Sequence, residues 1–87
     1  MTRITLLTQS DCGFCDRAKE ILHYLSSEFD FTVTEIDTTS DEGRELAIKH
    51  AVLFAPGLLI DDELFSYGRP SERKLRKTLA QATAGKD

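Results

Sequence analysis

A chain of 87 residues has room for one compact domain built on a single hydrophobic core. With 40% hydrophobic and 30% charged residues it is too apolar for a disordered chain, and no apolar run approaches the length of a membrane span or signal-peptide core, so it reads as cytoplasmic. The formal net charge is -4, with the basic residues Arg69, Arg73, Lys74, Arg76 and Lys77 gathered near the end; this balance, without an aromatic stacking platform, argues against a nucleic-acid partner.

In chain order, Arg3 to Thr8 is short, aliphatic and β-branched, and predicts a buried strand ended by Gln9-Ser10-Asp11. Phe14, Ala18, Ile21, Leu22, Leu25 and Phe29 then recur at spacings of three and four, which predicts an amphipathic helix capped by Ser10 or Asp11. Alternation over Phe31 to Asp37 predicts a second strand. Asp41 to His50 reads as a helix with Leu46 and Ala47 as core positions, weakened by Gly43.

Pro56-Gly57 breaks the apolar stretch that starts at Ala51, and Leu58-Leu59-Ile60 predicts a strand after it. Asp61-Asp62-Glu63 suits an exposed turn into Leu64-Phe65-Ser66-Tyr67, making a hairpin. Gly68-Arg69-Pro70-Ser71 ends the hairpin, and Leu75, Leu79 and Ala82 mark a last helix. The domain is expected over residues 1–83, with 84–87 as a disordered tail. The order β-α-β-α-β-β-α implies parallel strands joined by crossovers and a final antiparallel hairpin, hence a mixed sheet with the first strand inside it.

Cys12 and Cys15 are the chain's two cysteines, three positions apart. A ring this small stabilises a fold much less than a long loop would, so the pair points to redox or metal chemistry rather than stapling. A zinc ion would need two further ligands, and His23 and His50 stand at spacings unlike those of zinc motifs.

The C-x-x-C at the first strand–helix junction, Pro56 before the hairpin and Gly68-Arg69-Pro70-Ser71 before the last helix together resemble the glutaredoxins, over nearly the whole chain. The resemblance implies an α/β thioredoxin fold with a four-stranded mixed sheet and helices on both faces. It implies that Cys12 is an exposed nucleophile, that Pro56 is a cis proline facing it, and that Ala55 offers its backbone to a thiol substrate. The expected activity is reduction of disulfides in proteins or of glutathione mixed disulfides by a monomer with no bound cofactor and no metal. Glutathione, or thioredoxin reductase with NADPH, would supply the electrons.

That chemistry fits the residues. A thiol with a pKa near 8.5 is mostly protonated at neutral pH, and the helix start supplies unpaired N–H groups and a positive dipole end that favour the thiolate of Cys12. Cys15, one turn later, is more shielded and near enough to close the disulfide, so Cys12 attacks and Cys15 resolves. Gly13 leaves room for substrate and Phe14 offers an apolar ledge. Asp11 and Asp16 oppose the thiolate, and Arg17 offsets part of their charge.

Several positions depart from the glutaredoxin pattern. Gln9 stands where a lysine helps to hold glutathione, Phe54-Ala55-Pro56 replaces Thr-Val-Pro, and Arg69-Pro70 occupies part of the Gly-Gly stretch; Gly68 and Arg69 remain as candidate contacts, Arg69 for a carboxylate. Thioredoxins carry a proline at the position of Phe14 and a buried aspartate at that of Leu6. Two other readings compete: an iron–sulfur carrier, since C-G-F-C differs only at Cys15 from the C-G-F-S of cluster-binding glutaredoxins, and a non-catalytic binding module.

Overall fold

The computed structural model describes residues 2–84. The elements are β1 (Thr2–Thr8), α1 (Gly13–Leu25), β2 (Phe31–Asp37), α2 (Asp41–Lys49), β3 (Gly57–Ile60), β4 (Glu63–Tyr67) and α3 (Glu72–Ala84). Their order is the one the sequence predicts. Of the tail expected at residues 84–87, Ala84 instead closes α3, and 85–87 lie outside the described residues.

The strands form one mixed sheet in the order β2-β1-β3-β4. β1 runs parallel to β2, and β3 runs antiparallel to both β1 and β4. Side chains alternate across the sheet, so Ile4, Leu6 and Leu58 meet Ala18, Ile21, Leu22 and Leu25 of α1 and Leu75 and Leu79 of α3 in one buried cluster. Leu7 and Leu59, one position on from Leu6 and Leu58, are buried on the opposite face. Val52, just after α2, packs beside Leu7 at Gly57 there. Burying each of these aliphatic side chains contributes about 1.5–3 kcal/mol before the cost of ordering the chain.

The alternation in β2 does not produce a buried face. β2 is an edge strand, so Val33 keeps 40% of its surface exposed, and Phe31 and Ile36 are half-buried. Leu46 and Ala47 are likewise half-buried rather than core residues, because α2 covers the sheet near this edge. Gly43 lets α2 approach the end of β2. A Cβ at this position would collide with the Asp37 carbonyl group.

Each helix begins on a side chain that accepts the third backbone N–H of its first turn. Ser40 Oγ takes Gly43 N–H at 3.0 Å and Ser71 Oγ takes Lys74 N–H at 3.3 Å. In α1 the acceptor is Cys12 Sγ, which takes Cys15 N–H at 3.1 Å. This corrects the expected cap of Ser10 or Asp11. Those residues lie in the turn before it, where Asp11 adopts φ 55°, a conformation that aspartate tolerates better than most residues.

At the other end of α2, Val52 N–H reaches Ala47 C=O at 2.8 Å and Ala51 N–H reaches Ile48 C=O at 3.2 Å, the paired bonds of a Schellman ending. The residue between them, Ala51, has φ 55°, where glycine is the usual choice. Ala51→Gly is therefore expected to stabilise the fold by about 1 kcal/mol, read as a raised denaturation midpoint at unchanged m-value.

The β3–β4 turn is tighter than the sequence suggested. Glu63 already pairs with Ile60, leaving Asp61 and Asp62 as a two-residue loop at φ 50° and 69°. Positive φ at both positions is the type I′ geometry that follows the strand twist. Arg3 anchors the loop to β1: its N–H donates to Asp61 Oδ1 at 2.9 Å and its guanidinium to Asp62 Oδ2 at 2.8 Å. A bulge then leaves Phe65 between Leu64 and Ser66 and packs it against the core cluster.

After β2, Asp37 Oδ1 accepts both the hydroxyl and the N–H of Thr39, at 2.6 and 2.7 Å, and these bonds hold its carboxyl below the usual carboxylate range. Its contribution to stability is complete above the ordinary carboxyl value of about 3.9 and is lost as pH falls through the lowered native value. An Asp37→Asn variant should show a shallower fall in melting temperature between about pH 4 and pH 2 than the parent.

Candidate active site

The sheet register brings three separate segments to one end. Leu7, near the end of β1, pairs with Gly57 at the start of β3, and Gly57 pairs with Tyr67 at the end of β4. The loop carrying Cys12 leaves β1 at that end, Ala55-Pro56 enters β3 there, and Gly68-Arg69 leaves β4 there.

Cys12 and Cys15 are joined in a disulfide with their Cα atoms 5.2 Å apart. Cys15 is 1% exposed and Cys12 is half-buried, so only the first sulfur borders solvent. Cys12 is extended at φ -118°, ψ 105°, and its Sγ faces the first turn of α1. When the disulfide opens, a thiolate on Cys12 can keep the Cys15 N–H as a charge-assisted bond at the positive end of the helix. Sequence reasoning placed the cysteines at the helix start but missed that Cys12 is itself the cap; the signal was that it stands three residues before an N–H it can accept. Asp11 and Asp16 are exposed beside it.

The Ala55-Pro56 bond is cis. Pro56 is buried, and its C=O accepts Gly68 N–H at 2.8 Å, which ties the entry to β3 to the exit from β4. Ala55, 8% exposed, takes part in no hydrogen bond among the described residues. Gly68 has φ 84°, and a Cβ there would come within 2.8 Å of the Phe54 ring. Glycine at this position thus serves both the turn and the close approach of that ring.

Phe54 stacks edge-on against Tyr67, with centroids 5.3 Å apart, and the two stay 58% and 36% exposed. The sequence reading did not pick out this pair, although an aromatic residue stands near the proline break and another before the glycine. Phe14 is on the helical apolar stripe but is 52% exposed, because the first turn of α1 overhangs the core. With Gly13, Arg17 and Arg69 it lines a groove of about 460 Å³ beside the disulfide. A Cβ at Gly13 would meet nothing within 4 Å. Leu6 is fully buried among apolar side chains. Among the described residues, no three His, Cys, Asp or Glu side chains gather where they could hold a metal ion, and no helix is long and apolar enough to cross a membrane.

The model of the glutaredoxin-like domain (DUF836) matches residues 3–80. The chain belongs to this glutaredoxin-like family. It is 25% identical over 87 residues to a probable thioredoxin of Archaeoglobus fulgidus, covering all of this chain and 96% of that protein. Among solved structures it superposes on a single-substitution mutant of a thioredoxin from Halobacterium salinarum with a TM-score of 0.71 at 24% identity, covering 92% of this chain and 73% of the other. A thioredoxin-like protein from Clostridium perfringens superposes with a TM-score of 0.75 at 19% identity, over 93% and 70% of the two chains. The thioredoxin-like protein BC3987 gives 0.66 at 27% identity, over 87% and 99%. This glutaredoxin-like chain therefore has the thioredoxin fold with a C-x-x-C disulfide at the start of its first helix.

Proposed function

We propose that this glutaredoxin-like protein is a dithiol oxidoreductase that reduces disulfides of proteins or small thiols through Cys12 and Cys15. The observation that carries the reading is the unequal pair: a partly buried Cys12 that caps α1 with its own sulfur, disulfide-bonded to a fully buried Cys15. In the reduced protein the Cys12 thiolate attacks one sulfur of a substrate disulfide, forming a Cys12–substrate bond and releasing the other sulfur as a thiol after it takes a proton. Cys15 gives up its proton and attacks Cys12 Sγ, which releases the second substrate thiol and forms the Cys12–Cys15 disulfide. Two electrons leave the dithiol and two thiols leave the site.

The backbone of Ala55, which has no hydrogen-bond partner among the described residues, suits pairing with the main chain of an extended substrate, and Phe14, Phe54 and Tyr67 offer it apolar surface. Electrons return from glutathione or from a flavoprotein reductase using NADPH. The test is to supply the oxidised protein and an excess of a disulfide substrate with glutathione and glutathione reductase in one assay and with thioredoxin reductase in another, following NADPH against the same mixture without the protein. Sustained consumption in either one supports the reading and names its reductant. No consumption in both, with the disulfide intact at the end, would remove it.

A further inference from the structure

We propose that the groove between the start of α1 and the loop entering α3 selects disulfide-bearing polypeptides with an acidic side chain near the reacting cysteine, Arg69 and Arg17 being its specificity residues. The proposal rests on the dithiol reading of Cys12 and Cys15. The groove starts at Gly13, the residue after Cys12, so a chain whose cysteine meets Cys12 lays neighbouring side chains into it. Phe14 gives that space an apolar side, and Arg17, Arg69 and Glu72 supply its charges.

Those charges are not equally committed. Arg69 is exposed and has no hydrogen bond or ion pair among the described residues. Arg17 meets Glu20 only at 3.6 Å, with both side chains largely in solvent, a pairing an incoming carboxylate can exchange. Glu72, by contrast, already gives its carboxylate to Arg76 at 3.1 Å. The uncommitted charge in the groove is therefore positive, although the whole chain carries -4. A guanidinium can grip a carboxylate with two parallel bonds, and the two in this groove favour an acidic side chain there over a basic one, although Asp11 and Asp16 stand exposed beside Cys12. The exposed Phe54–Tyr67 pair, at the same end of the sheet, extends the contact surface past the groove, which suits an extended polypeptide better than a single small thiol.

The test uses two peptides that differ only in Glu or Lys two residues after one cysteine, each presented as a disulfide with 2-mercaptoethanol. Each second-order rate with the reduced protein is divided by that peptide's rate with dithiothreitol, which removes intrinsic reactivity. The Glu peptide should then react about three- to tenfold faster at low ionic strength, the advantage should shrink in about 0.5 M salt, and Arg69→Glu should reverse it. A ratio within about twofold of one in the parent, or one unchanged by Arg69→Glu, overturns the acidic selection. An equal dependence on Arg69 with glutathione disulfide as substrate overturns the polypeptide assignment. The uncharged 2-hydroxyethyl disulfide separates the two levels: its reduction by the parent protein keeps the dithiol reading standing when the selection fails, and failure to reduce it overturns both.

Discussion

Cys12→Ser is expected to abolish disulfide reduction, lowering turnover by about a thousandfold or more, because a serine hydroxyl cannot replace the attacking thiolate. Cys15→Ser should behave differently. Its Cys12 is intact at the start of α1, so the first exchange proceeds, but nothing behind it cuts the mixed disulfide. A single-turnover reaction of this variant should accumulate the substrate on Cys12, seen as the corresponding mass increase in the intact protein. Equal loss of that first exchange in both variants would contradict the division of labour between the partly buried Cys12 and the fully buried Cys15.

Leu6→Ala should lower stability strongly. Leu6 is fully buried in the cluster that joins β1 to α1 and α3, and its removal leaves a cavity that costs about 2–5 kcal/mol. A domain of this size has on the order of 5–10 kcal/mol in total, so the variant should unfold at a much lower urea concentration. Ile48→Ala is the control, since Ile48 is 74% exposed and its truncation should change stability by less than about 0.5 kcal/mol. Similar losses in the two variants would place the core elsewhere.

The order of elements was legible because each long segment carries one clear period and the breaks at Pro56-Gly57 and Gly68 are unambiguous. What periodicity could not convey is how much of each element the rest of the chain covers. Val33 alternates correctly yet remains exposed, because β2 has a neighbour on one side only, and Phe14 sits on the apolar stripe yet overhangs the core. Local conformation was harder still. Asp61-Asp62 lacks the glycine of the common two-residue hairpin turn, so the tight loop shows only in the pairing of Ile60 with Glu63 and the positive φ of both aspartates.

At the candidate site, the C-x-x-C pair could be read directly from its place after a strand, whereas the groove could not, because Arg17 and Arg69 are far apart in the chain and meet through the packing of α1 beside the entry to α3. The cap of α1 was missed for a chemical reason. Ser10 and Asp11 are the usual capping types, and cysteine is not, so the sulfur's second role emerged only from its bond to Cys15 N–H.

That bond places Cys12 at the positive end of α1, which should activate it as a nucleophile. The measurement is the pH dependence of alkylation of Cys12 in the reduced Cys15→Ser variant, followed by mass. The midpoint should lie clearly below the free-thiol value of about 8.5, despite the nearby charges of Asp11 and Asp16. A midpoint at or above that value would show that the helix start does not stabilise the thiolate, and would contradict the claim.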